Sequence, residues 1–360
     1  MTRVDRMGSH EELAELWRWF VAEEASGYSP LYAAIVEAAA ADEELLALVA
    51  SAPTASQYPL MMLAAVHDLV LAGELPELEA VYRGEGPIDT AAPLFRAAVL
   101  DHRDHVLGVL QDRFVQTNEC GRASPLALGI AAVTAAVGPP DALIDAGASA
   151  GLNLCYDRYR LEVGDHGVWG DPDSPVVCSC VVRGRPPSSL RFVEVPVRVG
   201  LDRAPVDVTD PLAARWLLAC TWPDTGRLER TRAAIDIAAS SPPDLRSGDL
   251  VTGIGPLLDG LGGSGPVCVV TSWALAYLDG GQRKGFVEAL ARAGAARAIA
   301  WLSLEGPGIV RGIDGATAPT ATFTVGPSLV GLTTFGPDGI DSQRALAHVH
   351  PHGSTLEWIG

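Results

Sequence analysis

The chain has 360 residues, 48% hydrophobic and 19% charged, which is enough to bury a sizeable core in one large or two medium domains. Its net charge is −18 and Lys284 is its only lysine, so it repels phosphate backbones and nucleic acid is not expected as a partner. The longest apolar stretch, "PLALGIAAVTAAV" at 125–137, falls short of the ~20 residues of a membrane span, and the six cysteines form no C-x-x-C pair. A cytoplasmic protein without a metal or membrane partner is therefore predicted.

Helices are expected first. Ser9 followed by Glu12 is a capping box, and the helix after it places Leu13, Leu16, Trp17 and Phe20 together. Ser29-Pro30 and Ser124-Pro125 each set a capping hydroxyl before a proline at the first helical position. Further helices are predicted near 58–72, which carries His67-Asp68, and 93–114, where His102 and His105 are three apart. The "VQTNECGR" segment at 115–122 brings together Gln116, Asn118, Glu119 and Arg122. Residues 1–125 thus read as an all-helical domain, a lid that chooses the substrate.

From Pro139-Pro140 onward, short β-like runs alternate with helical ones. "ALIDA" at 142–146 reads as a buried strand and "AGLNLCYDRY" as a helix. "SPVVCSCVVRG", in which Cys178 and Cys180 share one strand face, fits a hairpin inserted near 155–190. "VRVGLDRAPV" at 197–206 is a second strand and "PLAARWLLAC" the helix that follows it. Strands open "PVCVVTSWALAYL" and fill "ARAIAWLSLEG", with a helix between. Such alternation predicts a doubly wound α/β sheet over 126–360. "ATFTVGPSLVGLTTFG" and "ALAHVHPHGSTLEWI" then read as an antiparallel hairpin at the sheet edge. His348, His350 and His352 alternate there, with Pro351 marking an edge or a turn.

The turn "GASAG" after the first strand admits three chemistries: a nucleophile elbow around Ser149, an adenosine-binding turn, or a degraded dinucleotide motif. An elbow needs earlier strands to supply oxyanion donors, and the chain before Ala142 reads as helix. Asp145, two residues before Gly147, suits a cationic ligand instead, and Asp202 in "VGLDRAP" falls where a ribose-binding acid belongs. That acid comes ~50 residues after the glycines instead of ~20, a gap the hairpin insertion accounts for.

The segments "VQTNECGR", "DAGASAGLNL", "GLDRAPVDVTD", "ACTWPDTGRLER" and "HPHGSTLEW" resemble the bacterial family labelled domain of unknown function 2332, over nearly the whole chain. The resemblance implies a helical N-terminal part fused to a Rossmann-like domain of the class I methyltransferase kind, without an established reaction; S-adenosylmethionine is the cofactor expected from the class I pattern. By that pattern Asp145, Gly147, Ser149 and Gly151 match the first motif, with Ser149 standing where a glycine is usual, and Asn153 follows on the helix. Asp202 matches the ribose acid, and Asp249 in "LRSGDLV" the group that contacts adenine, unless it caps the next helix. Ser272 joins this set and, with Trp273, stands where methyl acceptors approach. Glu119, His67 and His350 are the candidates for a catalytic base. The expected function is methyl transfer to a small molecule; the alternatives are a non-catalytic binder of a nucleoside metabolite and a serine hydrolase using Ser149.

Overall fold

Local signals set the helices of the computed structural model, which describes residues 9–314, 319 and 326–360. Ser9 caps α1 (His10–Phe20) as expected: its hydroxyl accepts the Glu12 amide at 3.2 Å, and its own amide donates to Glu12 at 3.1 Å. α2 (Pro30–Ala39), α3 (Glu43–Ala50), α4 (Pro59–Leu71), α5 (Pro76–Tyr82), α6 (Ala91–Asp101) and α7 (Arg103–Asp112) follow. α4 is apolar around its whole circumference, and other helices cover it on every side.

The chain divides into two compact units. One runs to Thr117 and also takes in Asp210–Arg232; the other comprises Asn118–Thr209 and Ala233–Gly360. The boundary expected at 125/126 therefore lies at 117/118. "PLAARWLLAC", expected as a crossover helix of the sheet, is α9 (Pro211–Ala219) and belongs to the helical unit instead. Its apolar face explains this: Trp216 and Ala219 join the helical core, and the Trp216 indole donates to the Phe114 carbonyl at 3.1 Å. Arg215 grips Asp68 of α4 with two hydrogen bonds, at 2.8 and 3.2 Å. α10 (Leu228–Ser240) begins in the helical unit.

The second unit opens with α8 (Ala123–Val137). The window Cys120–Val137 is long and apolar enough to cross a bilayer, but 78% of it is buried inside the fold, so packing accounts for its apolarity. β1 (Ala142–Ala146) is buried at all five positions, as a central parallel strand should be. The remaining strands are β2 (Arg160–Val163), β3 (Val168–Gly170), β4 (Val177–Arg183), β5 (Val197–Asp202), β6 (Asp244–Ser247), β7 (Val267–Ser272), β8 (Ile299–Glu305), β9 (Ser328–Gly336), β10 (Gly339–Val349) and β11 (Thr355–Trp358). With α11 (Leu250–Asp259) and α12 (Gly280–Gly294), they form, among the described residues, an eleven-stranded sheet.

The sheet order is β3-β2-β4-β11-β10-β9-β8-β7-β1-β5-β6. Within it β6-β5-β1-β7-β8 are mutually parallel, and the chain order reverses between β1 and β7. This is the doubly wound, Rossmann-like order, whose ligand crevice lies at the carboxyl ends of strands beside the reversal.

Two expectations need correction. The hairpin of β9 and β10 is antiparallel as expected but is not at the sheet edge, because β11 pairs with β10 and then, in parallel, with β4. The inserted strands therefore extend the sheet. The first part of the strand expected from 321 lies outside the described residues. Secondly, "AGLNLCYDRY" forms no α-helix: Leu152–Arg158 is a seven-residue 3₁₀ helix. The Tyr159 hydroxyl donates to the Leu152 carbonyl at 2.7 Å, occupying an acceptor that an α-helix would use.

Candidate functional site

β1 ends at Asp145-Ala146, and the turn that follows uses left-handed backbone three times, at Gly147 (φ 95°), Ser149 (φ 52°) and Gly151 (φ 69°). Glycine is the residue that adopts such a backbone freely, so Ser149 is a strained departure that its surroundings must hold in place. They do so from β5: Asp202 accepts the Ser149 amide at 2.8 Å and the Ala204 amide at 2.9 Å, while the Ser149 carbonyl accepts the Val206 amide at 3.2 Å. The two loops are thereby clamped together. Beyond the turn, the Asn118 side-chain oxygen accepts the Leu152 amide at 2.9 Å.

The glycines serve chain packing. A Cβ on Gly147 would collide with the Cβ of Ala274, and one on Gly151 would stand 2.8 and 2.9 Å from Pro243 and Leu245 side chains. The 3₁₀ helix after the turn is too short to supply the charge concentration of an α-helix N-terminus.

Beside the turn lies a buried acidic cluster organised by Arg122. Its Nε donates to the Pro351 carbonyl at 2.7 Å, and its Nη1 to both the carbonyl and the hydroxyl of Ser272, at 3.1 Å each. Asp145 on β1 and Glu305 on β8 both feel its charge, yet burial pushes each carboxyl up to about 7. For Asp145 the neighbouring Asp202 carboxylate adds to the rise. Glu305 accepts the Ala274 and Leu275 amides with Oε1, at 3.1 and 3.2 Å, while Oε2 is buried without a well-formed hydrogen bond. Glu119 accepts the Gly121 amide at 2.8 Å and lies 3.2 Å from Nδ1 of His352. Trp273, directly after β7, is the second non-glycine residue with positive φ, at 58°, and its indole donates to Ser328 at 2.9 Å.

The structure thus gathers Glu119, Asp145 and Ser272 around Arg122, with Ser149 and Asp202 in the adjoining clamp. Asn153 is buried close after the turn, and its Oδ1 has no hydrogen-bond partner. Asp249 is committed to capping α11 through the Val251 and Thr252 amides, at 2.9 and 3.1 Å. His350 lies in the turn after β10 and accepts the His352 amide on Nδ1 at 3.1 Å. His67 belongs to the helical unit, where Nδ1 donates to the Ala219 carbonyl at 3.1 Å and burial lowers the ring to about 4. Among the described residues no three or more His, Cys, Asp or Glu are arranged to hold a metal.

Glu305 escaped the sequence reading, although it ends a buried parallel strand as Asp145 and Asp202 do. Arg122 was visible in "VQTNECGR" without a role.

The protein is a mixed α/β chain in which a helical N-terminal region accompanies a large, mostly parallel, doubly wound sheet with a buried acidic site at the strand ends. Residues 14–358 match the model of the family described as "uncharacterized protein conserved in bacteria (DUF2332)", and the chain belongs to that family. No curated protein matches it.

Proposed function

We propose that the sheet unit is an S-adenosylmethionine-dependent methyltransferase-like enzyme acting on a small molecule in the cytoplasm. The observation that carries this reading is the buried acidic cluster of Asp145, Glu119 and Glu305 at the reversal point of a doubly wound sheet. Buried carboxylates with a single arginine among them complement a cationic ligand, and S-adenosylmethionine offers a sulfonium and an ammonium. Asn153 Oδ1, buried without a hydrogen-bond partner, and Glu305 Oε2, buried without a well-formed one, likewise ask for donors. When bound, the cofactor would supply an activated methyl group for in-line displacement.

The chain's own residues would position the reactants and exclude water, with a base needed only for a hydroxyl or protonated amine acceptor. Asp145 and Glu305, both ionising near neutral pH, suit that role better than His67, whose Nδ1 is spent on a backbone carbonyl. A net charge of −18 favours a small acceptor over a polyanion or an anionic membrane surface.

Calorimetric titration with S-adenosylhomocysteine tests the reading. The wild type is expected to bind at one site, Glu305→Gln and Asp145→Asn about tenfold or more weaker. A flat titration with the folded wild type would discard methyl transfer.

A second reading is a non-catalytic binder of a nucleoside metabolite held by groups other than Asp202 and Asp249. Asp202 already serves the Ser149 and Ala204 amides, and Asp249 serves α11, so neither carboxylate is wholly available to ribose or adenine. Binding of S-adenosylhomocysteine unaffected by Asp202→Ala would fit it. The left-handed Ser149 keeps a hydrolase testable: fluorophosphonate labelling that disappears in Ser149→Ala would establish a nucleophile.

A further inference from the structure

We infer that Ser188 is a phosphorylation site for a serine/threonine kinase that reads arginines ahead of its target, and that Arg191 then holds the phosphate. The serine lies in the stretch joining β4 to β5. From Ser174 to Val193 the chain carries Arg183, Arg185 and Arg191 and no carboxylate, whereas the whole chain has 44 acidic against 26 basic residues. Arg183 and Arg185 are exposed and form no ion pair among the described residues. The pattern R-x-R-x-x-S, with Ser188 in the last place, occurs once in the sequence. Kinases choose among substrates by charge pattern, and arginines three and five places before a hydroxyl suit an acidic substrate groove.

The backbone presents this pattern as a kinase needs it, extended and outside regular structure. Pro186 and Pro187 fix their φ at about −65° and turn Arg185 away from helical backbone. After Arg183 the chain leaves β4 and forms no strand or helix until β5. The run closes in a turn where the Leu190 amide donates to the Pro187 carbonyl at 3.1 Å. Leu190, 3% exposed, pins that turn to the fold and leaves Ser188 and Ser189 exposed at its tip.

A partner for the phosphate is already in place. Nη1 of Arg191 donates to the Ser188 carbonyl at 2.5 Å and to the Leu190 carbonyl at 2.8 Å, so the guanidinium stands beside the residue to be modified. Bonds from arginine to a phosphate are about twice as strong as those to a neutral carbonyl, and the phosphate would draw the guanidinium to itself. In the transfer, Ser188 Oγ attacks the γ-phosphorus of ATP and the new O–P bond forms as the bond to the β–γ bridging oxygen breaks. The hydroxyl proton passes to the base of the kinase, and ADP leaves. A net charge of −18 disfavours an added phosphate over most of this surface, but here a charge of about −2 meets three arginines.

The full chain, incubated with ATP and a purified kinase selective for arginine three and five residues before the acceptor, tests this by peptide mass mapping. One phosphate is expected, on Ser188; it should be absent from Ser188→Ala, unchanged in Ser189→Ala, and added about tenfold or more slowly to Arg185→Ala. Phosphorus NMR then reads the pairing. The phosphate should ionise below its ordinary pKa of about 6 in the wild type and return to it in Arg191→Gln. All these side chains are exposed, so the variants should keep the wild-type thermal transition. No incorporation into the folded wild type, a phosphate elsewhere, or one retained by Ser188→Ala would overturn the site, and equal titration in wild type and Arg191→Gln would overturn the pairing.

Discussion

At the scale of single residues, the site rests on carboxyl groups whose ionisation burial pushes up towards neutral pH, and this gives stability a defined pH dependence. Asp145 and Glu305 rise from ordinary values of 3.8 and 4.5 to about 7. A raised carboxyl binds its proton more tightly in the folded state, so its stabilising effect is complete below pH ~4 and disappears as pH climbs to ~7. Each group should cost up to about 1.4 kcal/mol per pH unit within that window. Urea unfolding of Asp145→Asn and Glu305→Gln should therefore show a gain over wild type at pH 8 that shrinks towards pH 5; a pH-independent difference would count against ionisable burial. His67 works with the opposite sign: its lowered ring contributes stability that is present above its ordinary 6.5 and lost as pH falls towards 4.

Residue roles were unequally legible in the sequence. Asp145 stood out because a carboxylate before a glycine turn is a local pattern. Glu305 ends an apolar strand with nothing beside it in sequence, and only the fold brings Arg122, Ala274 and Leu275 to it.

At the scale of elements, the glycine turn is held by close packing. Gly147→Ala meets both a φ of 95° and the Cβ of Ala274, and should cost about 2–4 kcal/mol in urea unfolding. Gly226→Ala, at φ 68° with no atom within 4 Å of the new Cβ, should cost about 1 kcal/mol. Equal costs would mean that Ala274 yields freely and that the turn is not clamped. α1 could be read in advance because its capping box is contained in four residues, and β1 because a run of buried apolar residues admits few other readings. The 3₁₀ helix could not, since its form depends on Asn118 and on Tyr159 bonding back to Leu152. Nor could the position of the β9–β10 hairpin, which is set by β4 meeting β11.

At the scale of the whole molecule, the doubly wound parallel sheet followed from alternation along the chain, whereas the make-up of the helical unit did not. α9 looks like any amphipathic crossover helix, and nothing in its own residues says which core will cover Trp216 and Ala219. A chain beginning at Asn118 would retain α9 but lose its covering, leaving Trp216 and Ala219, which pack into the core of the helical unit, in water. Such a fragment should self-associate in size-exclusion chromatography with light scattering. A monodisperse, cooperatively unfolding fragment would show that this face finds cover elsewhere.

The return of Asp210–Arg232 to the helical unit also orders events on the ribosome. Domains ordinarily fold in sequence as they emerge, the N-terminal one first. Here the first seven helices leave the exit tunnel without Trp216, Ala219, Arg215 or Asp224, and with them the partners of Asp68, Ser29 and the Phe114 carbonyl. The helical unit must therefore wait, with part of its core uncovered, while β1 to β5 are synthesised, and it closes only as β6 is about to follow. The nascent chain thus spends about a third of its synthesis, from Thr117 to Arg232, as a natural client for chaperones that hold apolar helices apart.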